Sequence, residues 1–248
     1  MFRRWWFVRL LRNAEPERRR PRRRLSKEQQ ELVLREWEVL RDRLAEFAAE
    51  RLAAVGDVFR AAELRLPPEE ATARRDYLWA LEAYEAAGKL LDEAVDLPDL
   101  TAAVVLAERA VERLAAAHAL HAGHRSAPQV VRCFYNPLHA PVPHVPARSA
   151  KKTRQRPRVG AREAAADRRP ACPACRNAIL AGQLPDVLPA LLPAGAAGRR
   201  SPRVLVPYYT VPQQWSPWSA TACGAYDDEV PAMVLRGDHR RRAPRPGR

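Results

Sequence analysis

The sequence lacks the long hydrophobic runs of an integral membrane protein. Its uncharged apolar stretches fall well short of the ~18 residues that a membrane-spanning helix needs. Cysteine is also scarce, since four cysteines in 248 residues are too few for a disulfide scaffold. Hydrophobic residues nevertheless make up 47% of the chain, which is enough to build a folded core. The lack of membrane spans and of a disulfide scaffold, together with the hydrophobic content, predicts one or two globular domains.

The common catalytic motifs are missing as well. No nucleophile elbow, Walker A loop or H-E-x-x-H sequence occurs. Zinc deaminases use H-x-E followed by P-C-x-x-C, but His139 is followed by Ala140 and Pro141, so the catalytic glutamate is absent. We therefore predict a protein that is not an enzyme and has no small-molecule substrate.

Positive charge is concentrated at the two ends of the chain. Residues 1–24 carry a net charge of +8, residues 25–125 carry −7 and residues 126–248 carry +13. An acidic middle between basic ends indicates at least two differently built parts. Basic ends favour polyanions such as nucleic acid, anionic lipid or an acidic protein surface. The abundance of Arg, Ala and Pro is also typical of a GC-rich genome, so codon usage is an alternative cause.

Residues 1–25 form a basic, aromatic tail and linker. The apolar run WWFV is too short to span a bilayer, and the flanking arginines do not fit a secretory signal. Aromatic side chains mixed with Arg suit a membrane–water interface. Trp5, Trp6 and Phe7 are therefore candidate membrane-interface residues, and the alternative is a frayed tail. We expect a cytoplasmic protein, with peripheral attachment to the inner membrane face as an option.

Residues 26–124 are predicted to form an antiparallel helical bundle or hairpin with coiled-coil packing. Ser26 and Gln29 have the spacing of a capping box, and Asp99 is a candidate N-cap of the third helix. Gly88 is expected to mark a close helix crossing. The predicted core stripes contain Val33, Trp37, Leu40, Leu44, Phe47, Val55 and Val58 in the first helix, Tyr77, Leu81, Tyr84, Leu91 and Val95 in the second, and Leu100, Val104, Ala107, Val111, Leu114 and His118 in the third.

Residues 130–235 are predicted to form a small α+β module, so the fold class is mainly α. A basic loop is expected near residues 145–170, a short helix after Cys175, strands at 204–209 and 233–235, and a disordered basic tail at 236–248. Trp215 and Trp218 are expected to cover the core around a metal. The candidate polyanion-binding residues of the loop are Lys151, Lys152, Arg154, Arg156 and Arg158.

One group of residues has the composition of a metal site. Cys172-Pro-Ala-Cys175 is a C-x-x-C turn, which brings two thiolates to one tetrahedral metal ion. Cys133 and His139 lie upstream, so the full pattern is C-x5-H-x32-C-x2-C. Three thiolates and one imidazole match a closed structural Zn²⁺ site, although C-x5-H is not a standard spacing. The sequence therefore predicts structural zinc as the cofactor.

Other interpretations of these cysteines stay open. A redox pair would need a preceding βαβ unit, and a disulfide would need an oxidising compartment, so neither fits the sequence well. Cysteines without a metal are the plain alternative. Cys223 is interpreted as a small buried apolar residue. Four other histidines could replace His139 as the ligand, namely His118, His121, His124 and His144.

The ordered motifs after residue 130 resemble a group of bacterial proteins with no known activity. The similar residues are Arg132 to His139, Pro170 to Cys175, Gly182, Pro185, and Pro207 to Tyr209. These proteins join α-helical segments to a C-terminal Cys/His module, sometimes beside membrane spans. The resemblance covers roughly residues 130–235 and implies architecture rather than function. It also implies that Cys223 lies outside the metal site and favours an interfacial role for residues 1–12.

The function predicted from the sequence is that of a scaffold or adaptor with a structural zinc site. Its helical bundle is expected to contact a protein partner, and exposed heptad faces make a homodimer plausible. The first alternative is a nucleic-acid-binding protein that uses the basic C-terminal module. The second is a peripheral membrane protein that uses the N-terminal segment.

Overall fold

A computed structural model describes residues 26–62, 64–125, 130–142, 169–193 and 203–240. The described chain is mainly helical, as predicted, with one small two-stranded sheet. It divides into two compact units: residues 128–187 form one, and the rest of the chain, before and after that segment, forms the other. We call these the insert unit and the bundle unit. No helix in the described part of the chain is both long and apolar enough to cross a membrane.

Three long helices build most of the bundle unit: α1 (Lys27–Ala61), α2 (Ala71–Glu93) and α3 (Leu97–His121). α2 runs antiparallel to α3. This orientation is shown by the ion pair between Asp76, near the start of α2, and Arg113, near the end of α3. α1 runs parallel to α3, since Trp37 bonds to Asp96 and Arg51 lies 3.6 Å from Glu108. The predicted antiparallel bundle is thus confirmed as an up-down-up arrangement.

Helix caps set two of the boundaries. Ser26 and Gln29 form the predicted capping box at the start of α1, each side chain bonding to the other's backbone N–H. The N-cap of α3 is Asp96 rather than the predicted Asp99. Asp99 instead occupies the third helical position and accepts the Asp96 backbone N–H at 3.0 Å, which completes a second capping box.

The core stripe predicted for α1 is only half right. Val33, Trp37 and Val55 are buried, but Leu40, Phe47 and Val58 are 36%, 39% and 43% exposed. A straight helix turns every 3.6 residues, so a strict heptad stripe drifts by about 20° per repeat away from the buried face. The side chains that replace the exposed ones against the core include Ala48, Leu52 and Phe59.

α3 is buried along its whole first half. Every residue from Leu97 to Ala107 is buried, because α1 and α2 cover part of the helix and the C-terminal segment covers the rest. That segment begins with the antiparallel strands β1 (Pro189–Pro193) and β2 (Arg203–Pro207), paired from Pro189 with Pro207 to Pro193 with Arg203. A helix that is apolar on all sides needs such coverage. The short elements that follow β2 are a 3-10 helix (Tyr208–Thr210), α5 (Trp218–Thr221) and α6 (Val230–Leu235).

The structure therefore corrects the predicted module at 130–235. Residues from Leu188 onward belong to the bundle unit, and Leu188, Leu205 and Val230 lie in its core. The strand expected at 204–209 is confirmed for its first four residues, but the strand expected at 233–235 is part of helix α6. The apolar run there was too short for periodicity to separate helix from strand.

Two further predictions for the C-terminal part are wrong. Trp218 is fully buried in the core of the bundle unit, so it does not cover a metal site. The disordered tail was expected at 236–248, but residues 236–240 have a defined structure and contact α2. Arg240 bonds to the Glu93 carboxylate at 2.6 and 3.1 Å, and His239 lies beside it. Residues 241–248 lie outside the described residues, as does the tail at 1–25.

Two buried carboxylates join the separate parts of the bundle unit. Asp96 accepts the Trp37 indole N–H and the Leu191 backbone N–H, each at 3.0 Å. Asp99 accepts the Trp218 indole N–H at 2.6 Å. Both aspartates are less than 7% exposed. Buried carboxylates are tolerated only when their oxygens are bonded, so these contacts specify where the tryptophans lie.

Replacing Trp218 with Phe should destabilise the bundle unit. The change keeps an aromatic ring but leaves a buried Asp99 oxygen without the indole donor, a loss of about 1–3 kcal/mol. Urea unfolding followed by circular dichroism measures it. Trp215→Phe is the matched control because Trp215 is only partly buried. Equal losses in the two variants would contradict the role given to the Trp218–Asp99 bond.

The close crossing of α1 and α2 occurs at Gly56, not at Gly88. A Cβ atom at Gly56 would come within 2.6 Å of the Tyr84 hydroxyl oxygen. A Cβ atom at Gly88 would meet only the Leu52 Cδ2 atom, at an ordinary 3.7 Å. The two glycines therefore differ in the space around them, although both lie inside helices.

Gly56→Ala and Gly88→Ala should have opposite effects on stability. Alanine at 88 should raise the free energy of unfolding by about 0.4–1 kcal/mol, because glycine is a poor helix former. Alanine at 56 should lower it by about 1–3 kcal/mol through overpacking. Thermal unfolding of both variants measures the difference. Tyr84→Phe removes the clashing oxygen, so it should recover part of the Gly56→Ala loss, and no recovery would contradict this explanation.

Candidate metal centre

The four predicted ligands come together in the insert unit. The ligand atoms of Cys133, His139, Cys172 and Cys175 all lie within 4.8 Å of one another. His139 Nδ1 is 3.4 Å from the sulfur atoms of both Cys172 and Cys175. The three cysteines are buried, and none of them is in a disulfide. The group is therefore a Cys3His cluster that could hold a metal ion.

The first pair of ligands is held by a short looped segment. Val131 and Val142 form an antiparallel bridge, with Val142 N–H donating to the Val131 carbonyl at 2.7 Å. Between them Asn136 makes a tight turn, because its side-chain oxygen accepts Leu138 N–H and its carbonyl accepts His139 N–H. The turn brings His139 back toward Cys133, which is why a spacing of five residues can serve one ion.

The second pair lies at the start of helix α4 (Pro173–Leu180). Cys172 is the N-cap, and its sulfur accepts the Cys175 backbone N–H at 3.5 Å. Pro173 fits the first helical position, where no N–H is needed. This helix confirms the short helix predicted after Cys175, although it begins earlier, at Pro173. A helix N-terminus favours negative charge, so it suits a cysteine that binds metal as a thiolate.

The two pairs are also connected through the backbone. Phe134 N–H donates to the Pro170 carbonyl at 2.7 Å, which places the residue after Cys133 beside the segment that leads to Cys172. The Arg169 guanidinium lies over the Phe134 ring, 4.4 Å from its centroid. These contacts join the two segments beside the ligands, and neither uses a side chain of the four ligands.

Asp186 is a residue of the site that sequence reasoning missed. Its carboxylate lies 3.3 Å from His139 Nε2, on the side of the ring away from the sulfur atoms. A carboxylate in this position fixes the ring and its tautomer, so that Nδ1 faces the metal. A signal was available, because Asp186 is the only acidic residue between Asp167 and Asp227.

The side chains of the cluster shift one another's pKa values through their hydrogen bonds. Hydrogen bonds from the Cys175 thiol and from His139 lower the pKa of Cys133 to about 3, against the opposing effect of burial. The hydrogen bond to Asp186, followed by the bond to Cys133, raises the pKa of His139 to about 10. The bond that Cys175 gives to Cys133, together with burial, raises the pKa of Cys175. These shifts favour a negative charge on Cys133 and retained protons on His139 and Cys175.

No protein-family model matches this chain. Neither a curated protein nor a solved structure is significantly similar to it either. The assignment of the site therefore depends on the geometry of the chain itself, and the resemblance to bacterial Cys/His modules stays a prediction.

The other predicted site residues are not part of the cluster. Cys223 is buried in the core of the bundle unit, where burial and the nearby charges of Asp99 and Asp96 raise the pKa of its thiol. The prediction that it is a buried apolar residue is confirmed. His118, His121 and His124 belong to the bundle unit, and His121 bonds to Glu70. The following predicted residues lie outside the described residues: Trp5, Trp6, Phe7, His144, Lys151, Lys152, Arg154, Arg156 and Arg158.

Metal binding should release protons, and its affinity should rise with pH. At pH 7 the metal-free cluster holds protons on His139, whose pKa is about 10, and on Cys175, whose pKa is raised. Both must leave before these atoms can bind a cation. Zn²⁺ titration calorimetry at pH 7 in buffers of different ionisation enthalpy should give at least two protons released per ion.

Asp186→Asn provides the matched variant for that measurement. It removes the largest cause of the raised pKa of His139, so less of the imidazole is protonated at pH 7 and fewer protons should be released. Proton release that is unchanged in this variant would contradict the role given to Asp186, and an affinity that does not vary with pH would show that the ion binds elsewhere.

Proposed function

We propose that this chain is a non-enzymatic scaffold protein whose insert unit is stabilised by a structural Zn²⁺ ion. The supporting observation is the convergence of four protein ligands, three sulfur atoms and one nitrogen, within 4.8 Å. Zn²⁺ is tetrahedral in structural sites and takes this Cys3His set, whereas a catalytic zinc keeps a position open for water. A complete set of four protein ligands leaves no such position.

The insert unit has little else to hold it together. Its described part contains one eight-residue helix and one isolated β-bridge. None of its described residues belongs to the hydrophobic core cluster, whose members lie in the bundle unit. The buried hydrophobic side chains of its described part are Cys133, Tyr135, Ala171, Cys172, Cys175 and Val187, and half of these are the ligand cysteines. A unit with so small an apolar core depends on a further stabilising element such as a metal.

Asp186 and the Cys175 backbone N–H complete the arrangement expected around such an ion. The carboxylate orients His139, and the amide donates to the Cys172 sulfur. Outer contacts of this kind tune and orient metal ligands. The choice of Zn²⁺ follows from ligand softness, because thiolate and imidazole ligands favour it over Mg²⁺ or Ca²⁺.

Elemental analysis of the purified full-length chain tests the proposal. We expect about one equivalent of zinc. Cys133→Ala and Cys172→Ala should each lose it, since each removes one of four ligands. Cys223→Ala is the matched control, because this buried cysteine lies in the core of the bundle unit, and it should retain the metal. Absence of zinc from the wild-type chain, or its retention in both ligand variants, would refute the proposal.

Hydrogen exchange after chelation tests the structural role of the ion. Removal of zinc should raise amide exchange in residues 130–142 and 169–187. Exchange in α1, α2 and α3 should be unchanged, because the core of these helices contains none of the four ligands. Unchanged exchange in the insert unit would mean that the ion does not hold it together.

A further inference from the structure

The two cysteines of the second ligand pair lie in one turn of helix. Cys172 is the N-cap of α4, Pro173 follows it, and Cys175 is in the first turn. The Cys175 N–H donates to the Cys172 sulfur at 3.5 Å, and the Arg176 N–H donates to the Cys172 carbonyl at 2.9 Å. Residues three apart in a helix have Cα atoms about 5 Å apart. Disulfides span Cα separations of roughly 4.4–6.8 Å, so this backbone is already arranged for one.

The other two cysteines are placed differently. The Cys133 sulfur belongs to the cluster, but Cys133 lies on the segment 130–142, so a bond from it would join two separate segments. Cys223 is fully buried in the core of the bundle unit and lies in neither segment of the site. Cys172 and Cys175 are therefore the pair that oxidation would join with the least change in the backbone.

The pair lies just beneath the surface of the insert unit. Cys172 and Cys175 are only 4% and 1% exposed, which keeps bulky reagents away from the sulfur atoms. Pro173 and Ala174, the two residues between them, are exposed, and the His139 side chain is 20% exposed. A small, uncharged oxidant such as hydrogen peroxide can approach through so thin a cover. The thiolate, which is the form of cysteine that binds metal, is also the form that peroxide oxidises.

Oxidation of this pair would remove half of the metal ligands. A disulfide carries no thiolate, so only Cys133 and His139 would remain from the set of four. The described residues of the insert unit take no part in the hydrophobic core cluster, which could otherwise hold them in place. Loss of the ion would therefore also be loss of the fold of this unit, while the core of the bundle unit contains none of the four ligands.

We propose that the insert unit is a redox switch, in which hydrogen peroxide joins Cys172 to Cys175, the metal ion leaves and the unit unfolds. This inference rests on the proposed structural Zn²⁺ ion and adds a form of regulation to it. The described part of the chain contains no βαβ unit, since its one sheet is an antiparallel pair of strands. The proposal is accordingly a regulated stability and not a thioredoxin-like activity.

One molecule of hydrogen peroxide balances the reaction. One thiolate sulfur attacks a peroxide oxygen and the O–O bond breaks, which gives a sulfenic acid and hydroxide. The second thiolate attacks the sulfenic sulfur, so the S–S bond forms and a second hydroxide leaves. Two protons from the buffer convert both hydroxide ions to water. The two sulfur atoms together lose two electrons to the peroxide, and Zn²⁺ keeps its oxidation state.

Peroxide treatment of the zinc-loaded full chain tests the switch, with the released ion measured by a chromophoric chelator. The wild type should release about one equivalent of zinc and lose two free thiols. Peptide mass mapping should find Cys172 joined to Cys175, with Cys133 and Cys223 still reduced. Amide exchange should rise in residues 130–142 and 169–187 and stay unchanged in α1, α2 and α3. A reductant added together with Zn²⁺ should reverse these changes.

Two histidine variants provide a matched comparison. Cys172→His and Cys133→His each replace one thiolate by an imidazole, so each keeps four ligands of the kinds that zinc accepts. Elemental analysis first establishes that both contain zinc. Cys133→His keeps the C-x-x-C pair and should release zinc to peroxide as the wild type does. Cys172→His lacks the pair, so it should retain zinc at peroxide concentrations that empty the wild type.

The outcomes separate the switch from the metal site. A wild-type chain that binds zinc but keeps it under peroxide would overturn the switch and leave the structural site intact. So would a peptide map in which Cys133 forms the disulfide, and this map needs no variant. A chain that contains no zinc would refute the proposed function and the switch together.

Discussion

The bundle unit depends on two buried carboxylates at the start of α3. The two carboxylates accept the backbone N–H groups of Val95, Asp96 and Leu97 at the start of that helix. They also accept hydrogen bonds from Trp37, Leu191 and Trp218, and Asp96 Oδ1 serves both Leu97 and Trp37. A helix N-terminus stabilises negative charge, so this is where two carboxylates can be buried at modest cost. A buried carboxylate oxygen needs hydrogen-bond donors. The donors come from α1, β1 and α5, so these three elements have fixed positions around the start of α3.

This constraint explains why the C-terminal segment belongs with the helices. Without it, the first half of α3 would expose an apolar surface on the side that α1 and α2 leave open. Residues 188–240 cover that side, and Trp218 and Leu191 are anchored to the same two aspartates that cap the helix. Residues 128–187 therefore interrupt the sequence of the bundle unit rather than begin a C-terminal module. A unit inserted in this way needs its own source of stability.

Local signals predicted much of this fold and most of the candidate site. Residue spacing within short segments predicts the capping box at Ser26, the three helices and the Cys3His set. Such spacing can be seen directly in the sequence. The position of Trp218 and the domain boundary at Leu188 depend on partners more than 85 residues away, such as Asp99 and Asp96. Apolar composition alone did not indicate which of the two units those residues would join. The single core stripe predicted for α1 was wrong in part for a different reason. A heptad repeat and the 3.6-residue turn of an α-helix diverge over a helix of 35 residues.

The insert unit must bring its two ligand pairs together across 32 intervening residues. Bringing the ends of a segment of that length together costs about 3 kcal/mol in chain entropy, beyond a constant. The hydrogen bond from Phe134 to Pro170 returns about 1 kcal/mol, and burial of an apolar side chain such as Val187 adds about 1.5–3 kcal/mol. A structural Zn²⁺ ion contributes about 10–16 kcal/mol to the folding of a small domain. A bound ion, as proposed, would therefore be the largest of the contributions that the described residues of the unit supply. If zinc binds as proposed, the stability of the insert unit follows the zinc concentration, whereas that of the bundle unit follows the packing around α3.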